Sequence, residues 1–306
     1  MRIHAKNEIV DDVLGANRYV FPQARAPTSL ELPLNRGSHL ADLRRSTDHM
    51  SASIAMLALQ GATGFTAAPS MRPTSAVNLA RMQSSMSARA WDINEITPDG
   101  SLVQRVEGLT RKTWKFNDLS KDRVQVAVTS EGRPVHADVQ LWLGPDWTPF
   151  TLKAYSEDGK LRPIQTLVGT RNKAAMIEVR NVGEYEFPFK AASNYAKGAM
   201  AKVHSEIPAT TSGERCDGGA LRSYPLSASA KQLEVVLNTD GKQLNARIEL
   251  LNAPNNPKQT FEVFTNNGEL NSLCVCFETP DAGNTVRIRN LAPVEFPCYI
   301  HLNEIM

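Results

Sequence analysis

Cysteine, histidine and tryptophan are the residue types in this chain that could do chemistry, and their spacing decides which chemistry is open to them. Cys274 and Cys276 stand two apart, so on a strand they share one face and would supply two soft ligands or a redox pair. Two thiols alone are incomplete ligation, and buried packing is the competing account. Cys216 lies in Gly-Glu-Arg-Cys-Asp-Gly-Gly, a composition that predicts an exposed loop, with Arg215 beside it to favour the thiolate. Such a thiol could be reactive or carry a thioether-linked bilin. With Cys298, all four cysteines fall in the last third, too sparse for a disulfide framework and without C-x-x-C pairs. A reducing compartment, no metal site and no cofactor are expected.

His136, His204 and His301 have no Cys, Ser or carboxylate at a spacing that implies a triad, and neither a glycine-rich phosphate loop nor H-E-x-x-H occurs. No catalytic residues are expected, and the chain is read as a non-enzyme. Trp142 falls out of phase with the apolar row around it and shares a face with His136, Asp138 and Gln140; its counterpart Leu251 is also apolar. Large apolar groups on a polar face are what interfaces use. Trp147, in the turn Gly-Pro-Asp-Trp-Thr-Pro, is either a second anchor peculiar to the first copy or a residue that closes the end of that sandwich. Trp91, Arg133 and Arg171 complete the partner-contact candidates with Trp142, Trp147 and Leu251.

The elements that must position these residues come from an internal repeat. Residues 124–188 superpose on 233–297 at a constant offset of 109 without a gap, matching Gly132 to Gly241, Pro145 to Pro254 and Arg180-Asn181 to Arg289-Asn290. Apolar residues alternate inside each copy. Val124, Val126 and Val128 form one inward row, Val135 to Leu143 a second, Ile177 with Val179 a third, and Tyr185, Phe187 and Phe189 a fourth, each mirrored in the second copy. About seven short strands per copy, separated by glycine, proline and asparagine turns, predict an all-β fold of two tandem antiparallel β-sandwich domains, with immunoglobulin-like and jelly-roll topologies both open. Arg180 with Glu186, and Arg289 with Glu295, are expected to pair across a hairpin. The expected domains are a leader over 1–90, an extended arm over 91–113 that lies along a neighbour, a first sandwich over 114–190, a linker over 191–220 and a second sandwich over 221–306.

The leader has its own composition. Residues 49–91 contain no Asp or Glu, three arginines and dense Ser, Thr, Ala and Met, as transit peptides do. The run from Met50 to Phe65, an apolar core followed by small residues and Phe, resembles the bipartite presequences of algae with red-lineage plastids. Ten of the 34 basic and six of the 32 acidic residues precede residue 91, leaving 24 basic against 26 acidic. That balance removes the electrostatic case for nucleic acid. Charge is uneven between the copies: residues 105–202 carry 16 basic and 11 acidic groups, and residues 203–306 carry 8 and 12. No apolar run is long enough to span a membrane.

The duplicated segments, from Val-Gln-Val-Ala-Val at 124–128 through Leu-Trp-Leu-Gly-Pro at 141–145 to Arg-Asn-Val-Gly-Glu-Tyr-Glu-Phe-Pro at 180–188, resemble plastid β-sandwich proteins of the red lineage. Among these the chain is similar to the chaperone-like rod linkers of red-algal phycobilisomes. The resemblance implies a non-catalytic linker that binds phycobiliproteins, other linker proteins or photosystem subunits, peripheral to the stromal face of the plastid thylakoid. The net charge favours attachment through the basic first copy over threading of acidic rings. A glycan-binding module using Trp142 and Trp147 as a stacking platform is the alternative.

Overall fold

Strict alternation makes each strand one-sided, and the burial of the strands follows it. In Val135–Trp142 the odd-numbered apolar residues are buried and the even-numbered polar ones face outward. The structure, a computed structural model, describes Ile9, Val10 and residues 89–306. The transit-peptide reading of the leader lies outside the described residues. After β1 (Ile9–Val10) the first copy contains β2 (Gln104–Val106), β3 (Arg111–Phe116), β4 (Arg123–Thr129), β5 (Val135–Trp142), β6 (Phe150–Ser156), β7 (Ile164–Gly169), β8 (Ala175–Asn181) and β9 (Phe189–Tyr195). The second repeats the order as β10 (Glu214–Cys216), β11 (Leu221–Pro225), β12 (Gln232–Asn238), β13 (Leu244–Asn252), β14 (Pro257–Thr265), β15 (Leu273–Glu278), β16 (Asn284–Asn290) and β17 (Cys298–Ile305). The expected all-β architecture, two antiparallel sandwich copies related by the repeat, is what the structure shows.

The copies share both sheets. One sheet runs β1-β3-β8-β5-β6-β14-β13-β16-β11 and the other β10-β17-β12-β15-β7-β4-β9-β2. The seam is β6 against β14, from Thr265↔Phe150 to Gln259↔Ser156, and β7 against β15. Each half of the strand order is the other half reversed, so the sandwich has a pseudo-two-fold axis at the seam. Loop contacts obey it too: the Glu157 amide donates to the Lys258 carbonyl, and the equivalent Asn266 amide to the Pro149 carbonyl. The inward faces of both halves make one apolar core, from Val106 and Trp114 through Phe150 and Phe261 to Ile300. Thirty-nine buried side chains form this cluster, and each large one contributes about 1.5–3 kcal/mol, so separating the halves would expose a shared interior.

Three segment readings are corrected. Residues 191–220, expected as a linker, hold the end of β9, a 3-10 turn (Gly198–Lys202), helix α2 (Val203–Thr210) and β10. Residues 91–113, expected to lie along a neighbour, fold back onto this sandwich as helix α1 (Ile93–Ile96), β2 and the start of β3, because Trp91, Ile93 and Ile96 are apolar enough to be buried there. The row Tyr185, Phe187, Phe189 is not one strand face. Asn181 turns the chain first, accepting from the Gly183 amide and donating to the carbonyls of Val106 and Phe187, and β9 begins only at Phe189. Asn290 repeats all three bonds with Ala292, Cys216 and Phe296.

Candidate docking surfaces

The outward faces of the two sheets are treated differently. On the sheet holding β4, β7, β12 and β15, residues 89–96 and α2 form a lid. Trp91 packs with Leu167, Met200, Val203, Ile207, Val236 and Cys274, and Ile93 and Ile96 cover Ala127 and Ala192. A buried carboxylate fastens this lid: Glu234 accepts from the Trp91 indole (2.8 Å), from Asn303 (2.8 Å) and from the Arg89 guanidinium, which also reaches Glu206 (3.1 Å). The first copy's equivalent residue, Gln125, donates to the Ala90 carbonyl (2.6 Å). Both halves therefore grip one segment.

The other sheet leaves its outward face open and charged. Arg111 and Arg180 bracket Glu178 at 3.2 and 3.0 Å, and Arg247 and Arg287 bracket Glu249 at 3.1 and 2.7 Å. Burial raises the Asp138 carboxyl above its ordinary value, against the pull of Lys153 and Arg180. The arginines are partly exposed, but the carboxylates they bracket are sunk into the face, Glu178 at 3% and Glu249 at 12% side-chain exposure. The open face is thus a charged ladder of partly exposed arginines over buried carboxylates, whereas the lid side carries the apolar cover. Arg180 takes Glu178 rather than the expected Glu186, because Glu178 is two residues away on the same strand face while Glu186 lies past the Asn181 turn.

The pseudo-two-fold axis also produces two like corners, at opposite ends of the strand order. Around β2, β9 and the β8–β9 loop the first corner forms a shallow cleft of about 420 Å³ that includes Arg105, Glu107, Glu131, Arg133, Tyr185 and Lys190. Arg105 pairs with Glu107 at 2.6 Å, Lys190 with Glu131 at 3.3 Å, and Arg133 donates to the Glu186 carbonyl at 3.1 Å. At the second corner Arg215 pairs with Asp217 at 2.8 Å and Tyr299 donates to Asp240 at 3.1 Å, while Lys242 stands over the Phe296 ring at 5.9 Å. Each corner ends in an exposed apolar tip, Tyr185 at 73% and Val294 at 72% exposure, flanked by the exposed pair Val182 and Leu291. Of the polar residues Arg105/Arg215, Glu107/Asp217 and Glu131/Asp240, the sequence singles out Arg215 alone, and that as a neighbour of Cys216. Carrying the repeat alignment into its charged positions would have found them, with a change of offset to 110 at β2 and β10.

The other expected contact residues scatter. Arg133 lies in the first corner. Trp147 and Arg171 meet at the seam: the Arg171 guanidinium carbon stands 5.1 Å and Lys173 Nζ 5.6 Å from the ring centre, and Arg171 reaches Asn266 of the second copy at 2.6 Å. Trp147 is 39% exposed, a cation–π anchor rather than a bare stacking platform. Trp142 faces outward as expected and is half-buried on the open face. Leu251, its counterpart, is buried beside a register shift in β13. Trp91 is inside the lid, so it anchors this chain to itself.

The described histidines and the thiols lie in separate places. His136 lies against the Tyr155 ring, and His301 contacts the Thr211 hydroxyl at 3.1 Å. Burial lowers both His204 and His301 below the ordinary imidazole value. Cys274 and Cys276 are packed under the lid, where burial pushes Cys274 up to about 11 and holds Cys276 well above its ordinary value too. Cys216 is not in an exposed loop: it ends β10 with its side chain in the core, directly opposite Cys298. The cation that acts on it is Arg222, while Arg215 is engaged with Asp217. Among the described residues no group of three metal-ligating side chains occurs, and no helix is long and apolar enough to cross a membrane.

Residues 91–304 match the model of one protein family, described as the diatom pyrenoid shell protein. No curated protein matches the chain. Among solved structures, the exported protein XepA of PBSX is similar over 65% of this chain and 84% of that one, at 8% identity and a TM-score of 0.23, a likeness too low to bear on function.

Proposed function

Because the chain belongs to the diatom pyrenoid shell protein family, whose model covers residues 91–304, we propose that it is a non-catalytic structural subunit of a plastid protein shell that associates with further copies of itself. The observation that carries this reading is the pair of like corners. A body with one docking site closes at a dimer, whereas a body with two at opposite edges can propagate. The opposite charge balance of the halves, 16 basic to 11 acidic against 8 to 12, favours the first corner of one molecule meeting the second corner of the next. Such a head-to-tail contact does not close on itself unless the rotation happens to complete a ring, and so builds extended arrays.

A pyrenoid is a plastid body, so the family description and the acid-poor leader point to the same compartment. The family match moves the proposed assembly from a phycobilisome antenna at the thylakoid to a shell; nothing in the comparisons bears on phycobiliprotein or photosystem partners.

The test is self-association of the purified protein, followed by sedimentation and electron microscopy. Extended assemblies that loosen as salt rises are expected. A corner-one variant (Arg133→Glu with Tyr185→Ser) and a corner-two variant (Asp240→Lys with Val294→Ser) should each stay monomeric at an unchanged unfolding temperature, and mixing them should give one-to-one dimers through the remaining intact corners. A wild-type protein that is monomeric under all conditions, or variants that assemble as wild type does, would sink the reading.

A further inference from the structure

At the outer edge of the eight-stranded sheet, β10 is three residues long and, among the described residues, pairs only with β17, placing Cys216 opposite Cys298. Directly opposed residues of an antiparallel pair have Cα atoms about 4.5–5.5 Å apart, inside the roughly 4.4–6.8 Å that a disulfide spans. Both side chains are fully buried, with Cys216 Sγ 3.8 Å from the Ala220 carbonyl oxygen. We propose that Cys216 and Cys298 form a reversible disulfide that staples the outermost strand to its neighbour, making this pair a redox modification site of the second copy.

Three observations separate this from ordinary core packing. The first copy fills the same two positions with Val106 opposite Phe189, so the fold does not require cysteine there. The neighbouring Cys298 thiol and Arg222 together bring Cys216 down to about 7, while the neighbouring Cys216 raises Cys298, so one sulfur is prepared to attack and the other holds the proton. Cys274 and Cys276, by contrast, stand side by side along one strand with Cβ atoms about 6.6 Å apart, beyond the roughly 3.5–4.5 Å a bridge needs. Both proposed partners are buried, but β10 is held on one side only, and short edge strands fray at low cost.

The chemistry is exchange with a low-molecular-weight disulfide, for which oxidised glutathione serves. The Cys216 thiolate attacks one glutathione sulfur, breaking that S–S bond and releasing one glutathione thiolate. Cys298 then gives up its proton and its sulfur displaces the second glutathione from Cys216. One protein S–S bond forms, the two protein S–H protons pass to the released glutathiones, and the small disulfide takes both electrons.

The full chain is equilibrated in glutathione buffers of increasing oxidation, quenched in acid, unfolded and alkylated. In oxidising buffer two of the four thiols should escape alkylation, with loss of two hydrogens in mass and a crosslinked peptide joining residues 216 and 298. Reduced glutathione should restore all four. Cys298→Ser should stop at a glutathione adduct on Cys216, and the pair Cys216→Val with Cys298→Phe, which copies the first half, should form no bridge and leave the other two thiols alkylatable. Four alkylatable thiols at every ratio, a bridge between any other pair, or a wild-type Cys216 adduct that fails to resolve would overturn the proposal.

Discussion

The two halves of the sandwich are copies of one plan, and comparing them position by position separates what the fold demands from what was added to it. Asn181 and Asn290 make the same three bonds, and the Leu143 amide reaches the Trp147 carbonyl as Asn252 reaches Asn256. Those are structural requirements, since both copies keep them in different chemical surroundings. Where the copies part, one half carries an extra feature: Glu234 for Gln125, Cys216 and Cys298 for Val106 and Phe189, His301 for Ala192, and Trp147 with Arg171 and Lys173 in the first half alone. The lesson is that duplication supplies an internal control for every residue.

That control can be pressed hardest at the lid. Glu234→Ala should cost about 3–5 kcal/mol in urea unfolding, because Arg89, the Trp91 indole and Asn303 all lose the buried carboxylate they share, while Gln125→Ala should cost about 1 kcal/mol. Equal losses would mean that the two halves hold the lid alike. Asn181→Ala and Asn290→Ala should each lose about 2–4 kcal/mol, since two carbonyls and one amide lose their partner at each site; a gap of more than about twofold between them would break the equivalence of the copies.

Acid should act on the second half first. Burial holds His301 below its ordinary value of 6.5, so the unfolded chain binds more protons than the folded one as pH falls through that value, and stability declines there. His301→Asn should flatten the decline in a pH series of unfolding midpoints. The smallest expected effect is at a turn. Gly144 and its counterpart Ala253 share a left-handed backbone, φ 75° and 74°. Ala253→Gly should raise stability by up to about 1 kcal/mol and Gly144→Ala should lower it by about 1, read by thermal unfolding.

Much of this architecture is written in local pattern. Alternation at 124–128 and 135–143 identifies strands and their inward faces, and the fixed offset identifies the copies. The seam is not legible, because which strand lies beside β6 is decided by pairing between residues roughly a hundred apart, and Phe150 to Ser156 alternate the same way whether they edge one sheet or centre another. Trp91 was misplaced because its partner, a buried Glu234, looks in sequence like any surface acid. Tyr185 was misplaced because apolar residues keep alternating through a loop that Asn181 pins. Cys216 escaped alignment with Val106 because the offset grows by one residue across the crossover carrying α2, which also hid half of each corner.

The unbroken pairing of β6 with β14 and of β7 with β15 leaves no hinge between the halves. The distance and angle from one corner to the other are therefore constants of the molecule, like the span of a brick. In the proposed shell, whatever curvature a layer of such bricks adopts would be set at the joints between them.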